Sequence, residues 1–248
     1  MSNSIYNCPD ANTQQGTHES VFCARPTEHP YQVSSWSEMK DYYDPNDVIR
    51  AAAMMVSVSD QFKGNNNFEY DLVDIVRQAI AEKGRLTEKV VEAAFAAGDK
   101  KLYKDASDRF LRLILLQDEL LATRPEFKVG TWIARARSLG NTSEEKDLYE
   151  WNARVQITTW GNRLAADEGG LRDYAHREWN GILKDFYYMR WKTWFDYQTR
   201  LLDGKKTAAI DFYAIEEPWT KQTNPYSNEP EGDCIPTVQR IFAEIFGK

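Results

Sequence analysis

The sequence is poor in the side chains that most often bind metals or form disulfide frameworks. Its 248 residues include three cysteines and three histidines. The cysteines are Cys8, Cys23 and Cys234, and their wide spacing gives no Cys-x-x-Cys pair. A zinc site or a disulfide-stapled fold is therefore not expected. Buried free thiols are favoured over a Cys8–Cys23 bridge.

The usual catalytic and nucleotide-binding motifs are also missing. The sequence has no phosphate-binding loop, no GxGxxG, no GxSxG and no HExxH. No acid–base pair with a third, orienting residue can be named. We therefore expect no cofactor, and a self-sufficient helical enzyme is the least favoured interpretation.

Long apolar runs and a basic excess are absent as well. No run approaches the roughly 20 apolar residues of a membrane helix, and the first residues, MSNSIYNCPDANTQQG, do not resemble a signal peptide. Lys and Arg number 31 against 38 Asp and Glu, a net charge of −7. We therefore expect neither a membrane nor a nucleic acid as a partner. An export signal, if the protein has one, is expected outside this sequence.

Helical periodicity is what the sequence does contain. Residues 1–34 are polar and irregular, whereas from residue 35 onward apolar residues recur at spacings of three and four. Alternating strand patterns are nearly absent. We predict an all-α fold, an irregular bundle of about nine helices with an extended amino-terminal lead-in.

Local capping and turn signals place several helix boundaries. Asp44 followed by Pro45 predicts a helix start, with Asp as the N-cap and Pro at the first helical position. Gly84 predicts the end of the second helix, and a third is expected to begin near Thr87.

The stretch Tyr149–Tyr197 holds five of the eight tryptophans. One helix is expected to reach about Trp160, and Gly161 to leave it. The longest helix is expected over about Leu171–Leu202, with Tyr174 one turn from its start. A Trp face and a Tyr hydroxyl at one edge of a bundle can stack on a sugar ring and hydrogen-bond its rim. On spacing alone, however, aromatic residues that anchor a loop to the core are the favoured reading.

A dense block of rings follows on the same predicted helix. Rings this closely spaced must face several directions, so most are expected in the core or between helices, and the remainder at an interface with another domain. The rings are Phe186, Tyr187, Tyr188, Trp191, Trp194, Phe195 and Tyr197.

Three segments in order, FKVGTWIARAR, YEWNARVQITTWG and LRDYAHREWNGILKDFYYMRWKTWF, carry a resemblance. They resemble the C-terminal helical domain of α-N-acetylglucosaminidases, glycoside hydrolase family 89. Two earlier segments, YDLVDIVRQ and GTHESVFCARP, resemble the same family, so the similarity covers nearly the whole chain. The matching residues in the first three segments are Gly130, Trp132, Ala136, Arg137, Tyr149, Glu150, Asn152, Arg154, Gln156, Trp160, Gly161, Asp173, Tyr174, Ala175, Gly181, Tyr187, Arg190 and Trp191.

The resemblance implies a division of labour between domains. Family members are similar in having a small N-terminal domain, a TIM-like barrel and then the helical domain. They are retaining glycosidases whose two carboxylates belong to the barrel. Residues 1–34 are thus expected to follow an upstream catalytic barrel, and residues 35–248 to form the helical domain that closes one side of its pocket. The resemblance also implies an extracytoplasmic location.

By the same resemblance, Trp160, Leu171 and Tyr174 match pocket-lining positions, and His18, or Thr17 beside it, matches a further one. The implied ligand is a glycan that ends in N-acetylglucosamine. The chain would line the pocket without holding a catalytic residue, and alone it would be inactive. The alternative is a free-standing helical module that binds carbohydrate or another partner and has no activity.

Overall fold

The backbone is mostly helical in the part of the chain that the structure describes. In this computed structural model that part comprises residues 20–27, 43–223 and 225–247, and it contains eight α-helices joined by short 3-10 and π turns, without a β-strand. The all-α fold predicted from the periodicity is confirmed. The helices are α1 Pro45–Val58, α2 Asn66–Ala96, α3 Lys100–Ala122, α4 Val129–Arg137, α5 Ser143–Gln156, α6 Tyr188–Leu202, α7 Phe212–Thr220 and α8 Cys234–Phe246.

Short polar side chains fix the starts of most of these helices. The Asp44 carboxylate accepts a hydrogen bond from the Asn46 backbone N–H at 2.9 Å, and Pro45 is the first helical residue. The helix start predicted from this pair is confirmed. Such a cap satisfies one of the N–H groups that have no partner within the first turn of a helix. The same arrangement occurs at Asn65, Asp99, Thr142 and Asp211.

The helices α2 and α3 pack against each other and form the centre of the bundle. Helices α1 and α8 pack on α2, α6 packs on α3, and α4 pairs with α5. The core between them is fully buried and includes Leu72, Phe110, Ile114 and Trp191.

The short segment 20–27 belongs to this core. Its single 3-10 turn, Val21–Cys23, is buried, and the Trp191 indole N–H donates to the Phe22 carbonyl at 3.1 Å. The Phe22 ring lies against Gly84 in the middle of α2, where a Cβ would come within 2.5 Å of two ring atoms. The predicted helix end at Gly84 is therefore wrong: α2 continues to Ala96. The glycine allows a close approach of Phe22 to the helix instead of ending it.

The prediction of one long helix over Leu171–Leu202 is also wrong. The α-helix α6 begins at Tyr188, after a π turn at Leu183–Tyr187. Before it the chain is irregular, because Asp173 and His176 have φ angles of +59° and +46°. Such left-handed backbone cannot be part of a right-handed helix.

A carboxylate from another helix fixes the place where helical structure resumes. Asp118 of α3 accepts hydrogen bonds from the backbone N–H groups of Gly181 at 2.6 Å and Lys184 at 3.2 Å. Asp118 thus acts like an N-cap supplied from a distance. A tertiary contact therefore sets this boundary, and local sequence cannot reveal it.

The described residues also bear on membranes, metals and thiols. None of their helices is long and apolar enough to span a membrane. They contain no group of three or more His, Cys, Asp and Glu residues placed to hold a metal ion. Cys23 and Cys234 are free thiols, and burial raises the pKa of the Cys23 thiol well above its ordinary value. Cys8 lies outside the described residues.

Candidate functional site

Trp160 lies in a tight turn beyond the end of α5. That helix ends at Gln156, one turn earlier than predicted, and the Trp160 backbone N–H donates back to the Val155 carbonyl at 2.8 Å. Trp160 itself adopts φ +61°, so the chain has already left the helical conformation before Gly161, the residue that was expected to leave it. A left-handed tryptophan is strained, by on the order of 1–3 kcal/mol, and such strain is concentrated at functional sites. Its side chain is 38% exposed.

The irregular segment after residue 170 brings Tyr174 beside this tryptophan. The Asp173 backbone N–H donates to the Thr158 carbonyl at 2.7 Å, which joins the two arms of the loop. The rings of Trp160 and Tyr174 lie 5.1 Å apart at an interplanar angle of 52°. Tyr174 is 40% exposed and lies in a turn, not in a helix as predicted. We call residues 160–174 the elbow.

The other predicted pocket residues have different outcomes. Leu171 is half-buried three residues before Tyr174, and its carbonyl accepts a hydrogen bond from the Tyr174 N–H at 3.3 Å. The structure therefore brings Trp160, Leu171 and Tyr174 into one loop. His18 and its alternative Thr17 lie outside the described residues.

A chain of alternating charges lies beneath the elbow. The Arg190 guanidinium donates to both carboxylate oxygens of Asp173 at 2.9 and 3.0 Å, and its Nε lies 2.8 Å from Glu216. Arg25 donates to both oxygens of Glu216 at 3.0 and 2.6 Å and to Asp167 at 2.6 Å. We call these five residues, Asp167, Arg25, Glu216, Arg190 and Asp173, the charge chain.

Three of the five members of the charge chain lie in the interior. The side chains of Arg190, Glu216 and Asp173 are completely inaccessible to solvent. Burial alone would lower the pKa of Arg190, but the neighbouring carboxylates of Asp173 and Glu216 raise it above its ordinary value. The guanidinium therefore stays charged in the core. Sequence reasoning missed these pairs because their members come from four separate segments. The only signal was that Asp173 and Arg190 are both among the family-matching residues.

The aromatic block mostly fills the core, in agreement with the favoured prediction. Four of its rings are buried, and Phe110 of α3 lies 4.5 Å from the Trp191 ring. Farther along α6, Trp194 stacks on Tyr197 with ring centroids 5.6 Å apart. The buried members are Phe186, Tyr187, Trp191 and Phe195.

A cavity of about 600 Å³ lies away from the elbow, between α3, the start of the π turn and the segment before α8. Asp118 lies in its wall, and burial raises the pKa of that carboxyl to about 6, against the opposing effect of three hydrogen-bond donors. Tyr226 also lines it and donates to Asp185 at 2.7 Å. The carboxylates here are already hydrogen-bonded within the protein, so the exposed ring pair of the elbow is the stronger candidate for ligand contact.

The elbow has the chemistry of a binding surface. Two exposed rings offer a face for stacking and a hydroxyl, and the half-buried Leu171 adds apolar surface. The carboxylates of Asp167, Asp173 and Glu216 are each paired with an arginine and hold the loop. Carboxylates that are committed to arginines inside the protein are not available to a ligand. The arrangement therefore favours recognition of a ring over proton transfer to it.

Comparison with known proteins identifies the family. Residues 1–244 match the model of the alpha-N-acetylglucosaminidase (NAGLU) C-terminal domain, and the chain belongs to that family. A relative from Homo sapiens, the protein alpha-N-acetylglucosaminidase, is 26% identical over an alignment 253 residues long. The alignment covers 98% of this chain and 32% of the relative.

Solved structures of a family 89 glycoside hydrolase from Clostridium perfringens share the fold. The complex with 2-acetamido-1,2-dideoxynojirimycin is 34% identical, with a TM-score of 0.93 over 99% of this chain and 28% of that one. The complex with its substrate, GlcNAc-alpha-1,4-galactose, is 34% identical, with a TM-score of 0.92 over 98% of this chain and 28% of that one. The chain thus spans about a third of the length of these relatives.

Proposed function

We propose that this chain is the helical C-terminal part of a glycoside hydrolase that releases terminal α-linked N-acetylglucosamine. In this proposal residues 1–34 follow a catalytic barrel, and residues 35–248 form the helical domain that closes one side of the pocket. The catalytic carboxylates belong to the barrel. Two things support the proposal: membership of the family, and relatives that extend over about three times the length of this chain.

The observation that carries the proposal is the exposed ring pair of Trp160 and Tyr174 on strained, anchored backbone. The Trp160 face would stack on the apolar face of the sugar, and the Tyr174 hydroxyl would hydrogen-bond its rim. Leu171 would form the apolar wall between them, and His18 a further contact. The glycan that ends in N-acetylglucosamine is proposed from the substrate bound in the Clostridium perfringens relative.

Replacement of the tryptophan tests the site. In the full-length hydrolase, Trp160→Ala should lower kcat/KM by about tenfold, because a stacking surface is lost that contributes about 1.4 kcal/mol to binding. The measurement is steady-state hydrolysis of a chromogenic α-N-acetylglucosaminide.

Trp194→Ala is the matched control. It also removes a tryptophan from an aromatic pair, but that pair lies on α6, outside the elbow. It should leave kcat/KM unchanged. Equal kinetics for Trp160→Ala and the unsubstituted enzyme would remove Trp160 from the pocket.

A further inference from the structure

The two ends of the charge chain lie on the two arms of the elbow. Asp167 belongs to the π turn Leu164–Glu168, and Asp173 directly precedes Tyr174. Within the elbow, the Leu171 backbone N–H donates to the Ala165 carbonyl at 3.2 Å. The loop that separates Trp160 from Tyr174 is thus held at two points by charges whose partners lie outside it.

Arg25 links the Asp167 end of the charge chain to Glu216, and Arg190 in turn links Glu216 to Asp173. The Arg25 guanidinium donates hydrogen bonds to both carboxylate oxygens of Glu216 and to one of Asp167. Its Cζ lies 5.6 Å from the centroid of the Phe212 ring. Its side chain is only 11% exposed. A planar fork of five N–H donors is what allows one side chain to serve two carboxylates at once, and lysine cannot reproduce it.

Loss of Arg25 would weaken the pairing of the other members of the charge chain. Among the described residues, the fully buried Glu216 would keep the pairing with Arg190, which it shares with Asp173. Within the part of the chain that the structure describes, Asp167 would retain the exposed Arg163, at 3.7 Å. An uncompensated buried carboxylate is strongly unfavourable, so the local structure would rearrange to reach water. The elbow is the irregular part of this assembly and therefore the part most able to move.

We propose that Arg25 is a positioning residue for sugar binding, which fixes the elbow so that Trp160 and Tyr174 face the ligand together. This inference rests on the proposed function. Arg25 does not touch the sugar in this scheme. It reduces the number of conformations that the elbow would otherwise lose on binding. Its removal should therefore weaken binding and leave the chemical step unchanged.

Substitution of Arg25 in the full-length hydrolase tests this. Arg25→Met should raise KM for a chromogenic α-N-acetylglucosaminide by about tenfold with kcat within about twofold of the unsubstituted enzyme. In hydrogen–deuterium exchange the backbone amides of Leu171 and Asp173 should exchange faster. Arg25→Lys should show the same two effects at smaller size, because lysine keeps the positive charge but lacks the planar fork of N–H donors.

Two further variants keep the test decisive. Asp167→Asn changes one partly exposed end of the charge chain, so it should fold even where Arg25→Met does not, and it should show the same effects at smaller size. Arg112→Met removes an arginine that pairs with Glu244 at 2.9 and 3.2 Å on the exposed surface, and it should change neither KM nor exchange in the elbow.

The outcomes separate this inference from the proposed function. Unchanged exchange in the elbow of Arg25→Met and Asp167→Asn would overturn the positioning role. The positioning role would also be overturned if Arg25→Met showed faster exchange in the elbow but an unchanged KM, while Trp160→Ala raised KM. Unchanged kinetics in Trp160→Ala would instead reject the sugar site itself, and the positioning role with it.

Discussion

Asp173 combines two features that rarely occur together in one residue: a left-handed backbone and a fully buried charge. Asparagine tolerates the same backbone and has nearly the same size, but it cannot balance the charge of Arg190. Asp173→Asn should therefore lower the free energy of unfolding by about 3 kcal/mol, because it leaves a buried guanidinium partly uncompensated. Urea denaturation at neutral pH measures this.

Asp203→Asn serves as the comparison. Asp203 forms a solvent-exposed ion pair with Lys100 at 2.8 Å, and exposed pairs contribute little. Its substitution should give no measurable change. If both variants have the stability of the unsubstituted protein, Asp173 does not hold the elbow through its charge.

Glu88 of α2 gives the protein a predictable dependence on pH. Burial, together with the nearby Glu92, raises the pKa of the Glu88 carboxyl from about 4.5 to about 7. Between these two pH values the folded state keeps the Glu88 proton, whereas the unfolded state releases it. The free energy of unfolding therefore falls as pH rises from about 4.5 to 7. Glu88→Gln should increase the free energy of unfolding on the order of 2 kcal/mol at pH 7.5 and change it little at pH 4.5. Denaturation curves at the two pH values measure this, and an equal gain at both would contradict the assignment.

At the scale of elements, contact between α2 and the turn Val21–Cys23 depends on the missing side chain at Gly84. Alanine would favour the helix by about 1 kcal/mol, but its Cβ would overlap the Phe22 ring, which costs about 1–3 kcal/mol or more. Gly84→Ala should therefore lower stability in chemical denaturation. The double variant with Phe22→Leu should show less than the sum of the two single losses, because the smaller side chain makes room. Additive losses would mean that the two residues do not share the contact.

The accuracy of the sequence predictions follows the range of the interactions involved. The start of α1 at Asp44-Pro45 was predictable because an N-cap and a proline act on the next few residues. The irregular segment before α6 was not, because it depends on Asp118 of α3 and on Arg190. The identity of Trp160, Leu171 and Tyr174 as candidates came from family resemblance. Their placement side by side depends on contacts between separate segments, such as the hydrogen bond from the Asp173 N–H to the Thr158 carbonyl.

At the scale of the whole molecule, the proposed function puts both catalytic carboxylates on the upstream barrel, and the carboxylates of Asp167, Asp173 and Glu216 around the elbow are committed to arginines. The isolated chain should therefore fail to hydrolyse a chromogenic α-N-acetylglucosaminide, whereas the full-length hydrolase should turn it over. The measurement is product release by both proteins at equal concentration. Turnover by the purified chain that is lost on substitution of one of its own residues would contradict the proposed division between barrel and helical domain.

The burial of segment 20–27 has a practical consequence for anyone who divides this protein for expression. Phe22 and Cys23 are completely inaccessible, although they precede all of the described α-helices. A fragment cut at residue 35, where the helical pattern starts, would leave a cavity beside Gly84 and lose Arg25, which pairs with Asp167 of the elbow. A fragment that is expected to fold with the elbow in place therefore starts at or before Ser20.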